Sequence, residues 1–334
     1  MGITAKELAR KLGLSEAAVS VALNNKSGVS TETKKRVLEA AERYGYDFTR
    51  VSARQGRAQE VCFIYYRKHG AIVNDNPFFV EISDSIQQAC KERNFRLNIR
   101  YLYEEDNITR QIEDIVYADC AGIILLGTEM HREDFAPFDS VPVPIVLLDT
   151  YLEGVKRDCV LINNVQGAFQ ATDHLIRRTK QQPGYLRSSY PINNFDERAD
   201  GFYKAVRHHG YSSSKSIVHR LSPSIDGAYA DMTEILGAGE PLAPCYFADN
   251  DMIAVGAMKA FQQKGLSVPG DVSIVGFDNI PLCSYVDPGL TTINVPKKYM
   301  GAMAVTRLAE LMTAKHFVPV KLEIQTNLVE RQSV

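Results

Sequence analysis

Short apolar runs alternate with segments of helical periodicity from Val61 to the end of the chain, and this alternation restricts the possible fold most. The apolar runs suit strands buried on both faces, and they cover 61–65, 122–127, 143–148 and 272–277. The helical segments between and after them cover 78–93, 164–178, 196–209, 251–264 and 297–314. This order predicts parallel sheets with helices on both sides.

The alternating segment is longer than a single sheet usually requires. We therefore expect two similar, doubly wound parallel α/β subdomains that face a cleft. A cleft between two such subdomains can hold a small ligand at the carboxyl ends of the strands.

The first residues of the chain have the pattern of a helix with defined ends. Thr4 and Glu7 form the sequence signature of a capping box, Leu8 and Leu12 recur at helical spacing, and Gly13 is suited to end the helix. A second helix follows at once, with Ser15 as its N-cap. Two short helices joined by a glycine turn are typical of a helix-turn-helix, whose second helix lies in the major groove of DNA.

The second and third helices complete a three-helix domain over residues 1–46. Val19, Ala22 and Leu23 share the apolar face of the second helix, whereas four polar or small residues face outward: Glu16, Ala17, Ser20 and Asn24. A third helix is predicted from the N-cap Ser30 to Gly45. Four of its residues are expected to cover the first two helices: Val37, Leu38, Ala41 and Tyr44.

Charge supports a nucleic-acid partner for this domain. Residues 1–58 contain 11 Lys and Arg against 6 Asp and Glu, a net of +5, while the whole chain is −2, so the remainder is −7. Contact with phosphates requires such a local excess of positive charge. A small helical subdomain without a DNA partner is the alternative.

These residues resemble the DNA-binding domain of the LacI/GalR family, the lactose and galactose repressors. The matching features are the Thr4 to Glu7 opening, the segment 13–20, Leu23-Asn24, Val29-Ser30 and Gly45-Tyr46. The resemblance implies that five residues face base edges and nearby phosphates: Ser15, Glu16, Ala17, Ser20 and Val21. It also implies that five others grip the DNA backbone: Thr4, Asn24, Ser30, Thr33 and Tyr46.

Val21 departs from many members of the family, which have Arg at this position. Arg can read guanine with two hydrogen bonds, whereas Val offers only an apolar contact such as one to a thymine methyl group.

Residues 47–60 are poor in apolar positions and predict a linker. In the family this segment becomes a short hinge helix on DNA, with a leucine wedged into the minor groove. The resemblance places Gln55 at the wedge position and Phe48 where a proline is usual, and Arg50 is a further candidate DNA contact. Because Gln unstacks bases poorly, an ordinary domain linker is the open alternative.

The rest of the chain resembles the effector domain of the same family, which is similar to type I periplasmic sugar-binding proteins. Six segments match in order: 76–79, 198–202, 247–258, 269–278, 287–292 and 328–331. The resemblance implies one subdomain at about 61–161 and 292–320, and a second at about 162–291 and 321–334. The expected fold class is therefore α + α/β.

Sugar sites combine planar polar side chains with an aromatic ring. The resemblance implies that hydroxyl contacts come from Arg198, Asn250 and Asp278, with Asn163 as a weaker candidate. Phe78 and Phe79 are candidate wall residues, with Tyr65 nearby. The alternatives are ordinary helix-to-sheet packing for the aromatic residues and a structural ion pair between Arg198 and Asp278.

No motif indicates a metal, a cofactor or catalysis. Asp249-Asn250-Asp251 lacks the further ligands of a calcium loop, and Ser212 to Lys215 fits a solvated turn better than a serine nucleophile. The six cysteines are scattered without a Cys-x-x-Cys pair, as in a reduced chain. No signal peptide or membrane span is recognisable, so we expect a cytoplasmic protein.

The leading functional hypothesis is a ligand-responsive transcription regulator. Its expected partners are double-stranded operator DNA and a small-molecule effector. A homodimer over a near-palindromic operator is expected, and the ending after Arg331 leaves no room for a tetramer-forming heptad segment. A sugar or sugar derivative is the expected effector, with a purine or another metabolite as alternatives. The competing hypothesis is an enzyme, such as a sugar kinase, joined to a helix-turn-helix.

Overall fold

The computed structural model describes residues 3–23, 29–46, 58–105, 107–117, 120–314 and 318–334. Of the linker expected at 47–60, residues 47–57 lie outside the described residues, as do Asn24, Arg50 and Gln55, and Glu60 is the first residue of a strand. None of the helices in the described ranges combines the length and the apolar character needed to cross a membrane.

Among the described residues, three helices form the N-terminal domain: α1 (Ala5–Leu12), α2 (Glu16–Leu23) and α3 (Thr31–Arg43). The predicted capping box is confirmed, because the Thr4 side chain accepts from the Glu7 N–H while Glu7 accepts from the Thr4 N–H. Gly13 ends α1 with φ of 65°, a conformation that favours glycine. Both other predicted N-caps are confirmed, since Ser15 accepts from Ala18 N–H and Ser30 from Thr33 N–H.

The core of this domain contains eight buried residues: Leu8, Ala9, Val19, Ala22, Leu23, Val37, Ala40 and Ala41. The expectation that Tyr44 covers the first two helices is wrong. Its ring is 40% exposed and lies under the Lys11 ammonium, which is 4.2 Å from the ring centroid. The ring therefore covers the Lys11 side chain on the surface instead of filling the core.

The rest of the chain forms two six-stranded sheets. The first sheet contains β1 (Glu60–Arg67), β2 (Arg96–Tyr103), β3 (Cys120–Leu126), β4 (Ile145–Leu148), β5 (Asp158–Ile162) and β11 (Lys321–Ile324). The second contains β6 (Gly184–Ser188), β7 (Val218–Leu221), β8 (Cys245–Ala248), β9 (Ser273–Asp278), β10 (Thr291–Asn294) and β12 (Asn327–Val329). The predicted pair of doubly wound sheets is confirmed.

Strand order in the first sheet is β11-β5-β4-β3-β1-β2, and all its pairs are parallel. The second sheet has the order β12-β10-β9-β8-β6-β7, with only β12 antiparallel. The helices that cover the sheets are α4 (Pro77–Glu92), α5 (Ile108–Tyr117), α6 (Asn164–Thr179), α7 (Asn193–His208), α8 (Ile225–Ala238), α9 (Asp251–Gln263) and α10 (Lys297–Thr313).

The chain crosses between the subdomains three times. It passes from β5 to α6, from β10 to α10, and from β11 to β12, while α10 packs against α4 of the first subdomain. The expected boundaries at 292 and 321 therefore need correction: β10 pairs in the second sheet and β11 in the first. A four-residue strand carries too little pattern to show which sheet it joins, because only its pairing partner decides this.

Close helix packing explains one of the family-like segments. A side chain at Gly201 of α7 would meet the Val165 carbonyl oxygen of α6 at 2.4 Å. Only glycine allows these two helices to lie so close together.

Candidate functional site

Helix α2 presents the surface expected to contact DNA. Ser15, Glu16, Ala17 and Ser20 are exposed on it, while Val21 is half-buried. Its opposite face holds the buried residues Val19, Ala22 and Leu23. The helix is thus anchored by its apolar face, and its small and polar side chains are accessible to a nucleic acid.

The residues expected to grip the DNA backbone also hold the helix ends. Thr4 completes its capping box, and the Ser30 and Thr33 hydroxyls lie 2.8 Å apart at the start of α3. Tyr46 is half-buried and packs against the core of the domain. Phosphate contact by these residues therefore depends on intact helix ends.

The predicted effector-site residues divide into two groups. Five of them line one cavity between the sheets: Phe78, Phe79, Arg198, Asn250 and Asp278. The other two, Tyr65 and Asn163, do not line it. The Tyr65 hydroxyl donates to the Phe79 carbonyl at 3.1 Å, and Asn163 caps α6 by accepting from Gln166 N–H at 3.1 Å.

The cavity lies at the carboxyl ends of strands from both sheets, as expected for a doubly wound fold. The first subdomain contributes residues from the ends of β3 and β4 and from α4, and the second contributes residues from β8, β9 and α7. The cavity volume is about 20 Å³, which is room for about one water molecule. A larger ligand therefore requires the two subdomains to separate.

Arg198 is buried at the floor of the cavity, where its guanidinium makes several contacts. Its Nε donates to Asn164 Oδ1 at 2.9 Å, one Nη donates to the Asp249 carbonyl, and the other lies 3.3 Å from Asp278 Oδ1. The guanidinium also stacks on Phe277, 3.8 Å from the ring centroid. These bonds fix its orientation toward the cavity.

Asp278 is the last residue of β9, and its backbone has φ of 112°, a rare conformation for a residue other than glycine. The Lys297 ammonium donates to its carbonyl at 2.8 Å and to that of Asn279 at 3.0 Å. Burial raises the pKa of the Asp278 carboxyl, and the positive charges of Arg198 and Lys297 oppose this shift. The structural ion pair between Arg198 and Asp278 is therefore present, and both members also line the cavity.

Asp149 and Asn194 also line the cavity, although neither was among the residues expected there. Asp149 follows β4, and its carboxylate accepts from Thr128 Oγ1 at 2.7 Å and from Asn194 Nδ2 at 2.9 Å. Burial raises the pKa of the Asp149 carboxyl to about 7. Position after a buried strand was the available signal for Asp149, and Asn194 precedes the predicted start of α7.

The aromatic candidates are both packed and accessible to the cavity. Phe78 and Phe79 are buried, with their ring centroids 5.0 Å apart in an edge-to-face arrangement. They line the cavity opposite Phe195 of α7. Phe78 and Phe79 therefore pack in the core and also form part of the cavity wall.

The side chains of the acidic segment 249–251, which follows β8, accept hydrogen bonds from backbone N–H groups of the protein. Asp249 accepts from Ser188 N–H at 2.6 Å, Asn250 caps α9 by accepting from Ile253 N–H, and Asp251 accepts from Ile280 N–H. Burial raises the pKa of Asp249 to about 6 and that of Asp251 to about 7. Within the described ranges, no cluster of His, Cys, Asp and Glu has the arrangement of a metal site.

Comparison with known families matches both parts of the chain. Residues 4–47 match the model of the bacterial regulatory proteins of the lacI family. Residues 172–334 match the model of a periplasmic binding protein-like domain.

Characterised relatives extend over nearly the whole chain. The HTH-type transcriptional regulator GalS of Salmonella typhimurium is 32% identical over 92% of this chain and 89% of its own length. The HTH-type transcriptional regulator GalR of Escherichia coli is 30% identical over 99% of this chain and 95% of its own length. The chain therefore belongs to the LacI family and is a DNA-binding transcriptional regulator with a ligand-binding domain.

Solved structures share the fold. A complex of the transcriptional regulator CelR with cellobiose aligns with a TM-score of 0.73 at 25% identity, over 99% of this chain and 100% of that one. The lac repressor dimer bound to operator and the anti-inducer ONPF aligns with a TM-score of 0.72 at 20% identity, over 100% of this chain and 99% of that one. The second likeness establishes the architecture only.

Proposed function

We propose that this chain is a repressor that binds a near-palindromic operator as a homodimer and releases or strengthens that contact when a small effector enters the cleft. The observation that best supports this proposal is that one cavity is lined by polar and aromatic residues expected at an effector site, namely Arg198, Asn250, Asp278, Phe78 and Phe79. A ligand that prefers one arrangement of the subdomains must change the affinity for DNA, commonly by about 1 to 3 kcal/mol. As a protein acting on chromosomal DNA, it is placed in the cytoplasm.

The cavity chemistry supports a sugar or sugar derivative. Carboxylate oxygens accept from hydroxyl groups, guanidinium N–H groups donate to them, and phenylalanine rings cover an apolar sugar face. The structural relatives include a cellobiose complex and a LacI family regulator from Enterococcus faecium with bound ribose. These ligands belong to those proteins, and they suggest where a ligand screen should begin.

On the DNA side, we propose that Ser15, Glu16, Ala17, Ser20 and Val21 face base edges. Their support is the exposed or half-exposed position of all five along α2 and its preceding turn. Thr4, Ser30, Thr33 and Tyr46 are proposed to hold the phosphate backbone, together with Asn24. Arg50 is proposed as a further DNA contact and Gln55 as the residue at the minor-groove wedge position, and these two residues and Asn24 lie outside the described residues.

We further propose that the cleft binds its ligand without catalysing any reaction of that ligand. The buried carboxylates Asp249 and Asp251 accept internal hydrogen bonds, which gives them a structural use. Incubation with a panel of sugars and ATP should produce no ADP above a protein-free control. Steady ADP production would instead support a sugar kinase joined to a DNA-binding domain.

The regulator function is tested by binding measurements on both sites. Fragments from the promoter regions of the source genome should compete better than random duplex in gel shifts at physiological salt. A metabolite library that includes ribose and cellobiose should contain a compound that raises the melting temperature. Absence of any preference for promoter DNA would refute the regulator proposal.

One substitution can test whether operator binding by α2 is independent of effector binding in the cleft. Ala17→Glu places a negative charge on the exposed face of α2, so we expect weaker operator binding because of repulsion from phosphates. The melting-temperature rise caused by the effector should be unchanged. Equal operator binding by this variant and the wild type would remove α2 from the DNA contact.

A further inference from the structure

The loop between β1 and α4 extends from the first subdomain to the second. We call residues Lys68–Asp75 the strap. Ile72 in the strap lines the cavity, and the His69 ring lies 4.7 Å from the ring of Tyr190, measured between centroids. Tyr190 follows β6 of the second sheet. The strap therefore reaches across the cleft next to the cavity.

A single buried carboxylate organises the backbone of the strap. Glu129 follows β3 and is 1% exposed. One of its oxygens accepts from three backbone N–H groups, those of Lys68 at 3.1 Å, His69 at 3.2 Å and Gly70 at 2.8 Å. The other accepts from Ile72 N–H at 2.9 Å and Val73 N–H at 3.2 Å.

Backbone dipoles, more than side-chain cations, stabilise this buried charge. The Lys68 ammonium lies 3.1 Å from Asp134 and 3.4 Å from Glu104, so it is directed away from Glu129. The His69 Nδ1 atom lies 3.5 Å from Glu129 Oε1, but it accepts a hydrogen bond from Ala71 N–H at 3.1 Å. Successive N–H groups that converge on one anion form a concave site that stabilises negative charge. Each bond involves an ionised acceptor and is therefore stronger than a bond between neutral groups.

Both ends of the strap are also fixed. Gly70 has φ of 69° and Asp75 has φ of 53°, so the chain turns through left-handed positions at these residues. After the strap, Asn76 accepts from Phe78 N–H at 3.0 Å and donates to the Ile72 carbonyl at 3.4 Å. The conformation of the strap is thus connected directly to Phe78 in the cavity wall.

We propose that the strap is a lid over the cleft and that Glu129 is the positioning residue that holds it against the second subdomain. The inference rests on the proposed effector function, because a lid matters only if the cleft receives a ligand. Loss of the Glu129 charge should release the strap without altering α2 or the operator contact. The closed strap should slow the exit of any ligand beneath it.

The decisive variant is Glu129→Gln, which retains the shape of the side chain but replaces one acceptor oxygen by an NH₂ group. The new NH₂ group is a donor, and it would face the two or three backbone N–H groups of the strap that the replaced oxygen had accepted from. Glu133→Gln is the matched control, because Glu133 is exposed and lies four positions away in the same segment. Melting curves of both variants establish that they are folded.

Hydrogen exchange measures the strap without any effector. Exchange at the amides of Gly70, Ile72 and Val73 should accelerate about 5- to 150-fold in Glu129→Gln, the range for unpaired buried donors. Glu133→Gln should exchange at the wild-type rate. Equal exchange in all three proteins would overturn the assignment of Glu129.

Contact between the strap and the second subdomain has its own reporter. The chain contains no tryptophan, so Tyr190→Trp introduces a single tryptophan beside His69. Acrylamide quenching of this tryptophan should increase when Glu129→Gln is added. It should also increase with His69→Ala, which removes the ring that packs on residue 190 together with the acceptor of Ala71 N–H.

The second variant makes the test independent of whether Glu129→Gln folds. Unchanged quenching in His69→Ala would show that the strap does not close on Tyr190, and this result alone would overturn the lid. Failure of the proposed effector function has a different signature. In that case no library compound stabilises the wild-type protein, whatever the exchange and quenching experiments show.

Discussion

Asn194 and Asp149 form a buried hydrogen bond across the cleft. The Nδ2 atom of Asn194 donates to Asp149 Oδ1 at 2.9 Å and lies 3.2 Å from the main-chain oxygen of the same residue. Asp149 belongs to the first subdomain and Asn194 lies in the first turn of α7 of the second. Closure of the cleft therefore forms a specific polar contact in addition to apolar packing.

Removing this contact should favour the open arrangement. In Asn194→Ala the buried Asp149 carboxylate loses a donor, a loss that commonly costs about 1 to 3 kcal/mol. Small-angle scattering should therefore show a larger radius of gyration than that of the wild type. Asp200→Ala is the control, since Asp200 is exposed on the same helix. Equal effects of both variants would contradict the prediction.

Arg198 and Asp278 should behave as one unit in stability measurements. Arg198→Met leaves a buried carboxylate without its cation, which commonly costs about 3 to 5 kcal/mol. Adding Asp278→Asn removes the uncompensated charge, so the double variant should lose less than the sum of the single losses. Urea unfolding of the four proteins gives the coupling energy. Additive losses would mean that the pair at 3.3 Å has no energetic connection.

Asp149 should make stability depend on pH in a defined direction. Burial raises the pKa of its carboxyl to about 7, above the ordinary value of 3.8, so the folded protein retains a proton that the unfolded chain loses. This group therefore lowers the free energy of unfolding as pH rises from about 4 to about 7, by up to about 1.4 kcal/mol per pH unit, with no further change above that range.

The Asp149→Asn variant isolates this effect. Asn can accept from Asn194 and tolerates the left-handed backbone at this position, where φ is 58°. Its stability relative to the wild type should improve between pH 5 and pH 7 and then stay constant, as measured by urea unfolding. A difference independent of pH would show that Asp149 remains ionised throughout.

Ser15 combines a helix cap with a position on the DNA-facing surface. Ser15→Ala should lower helix stability by about 1 kcal/mol, because Ala18 N–H loses its acceptor. Ser15→Asp retains an acceptor but adds negative charge near phosphates, so stability should be kept while operator binding weakens. Thermal unfolding and fluorescence anisotropy with a labelled operator distinguish the two variants. Wild-type operator binding by Ser15→Asp would place this residue outside the interface.

Local features of the sequence predicted the N-terminal helices, four strands (β1, β3, β4 and β9) and most of the helices that cover the sheets, but they missed α5, α8 and the other strands. The Thr4 and Glu7 capping box, the Ser30 cap and the Gly13 turn depend on residues three or four positions apart, and the structure contains all of them. The apolar runs became strands for the same reason, since burial on both faces requires apolar side chains at consecutive positions. Family resemblance then placed Arg198, Asn250 and Asp278 in one cavity.

The sequence by itself therefore determined the three N-terminal helices, the most apolar strands, the fold class and the family, because these follow from short-range periodicity and recognisable segments. Only the tertiary structure decided that Asn194 meets Asp149, that Glu129 holds the strap and that β11 joins the first sheet. The tertiary structure also showed that Tyr65 does not line the cavity, because its hydroxyl donates to the Phe79 carbonyl. Each of these contacts joins separate elements, so it depends on how the sheets, helices and loops pack, which local spacing does not encode.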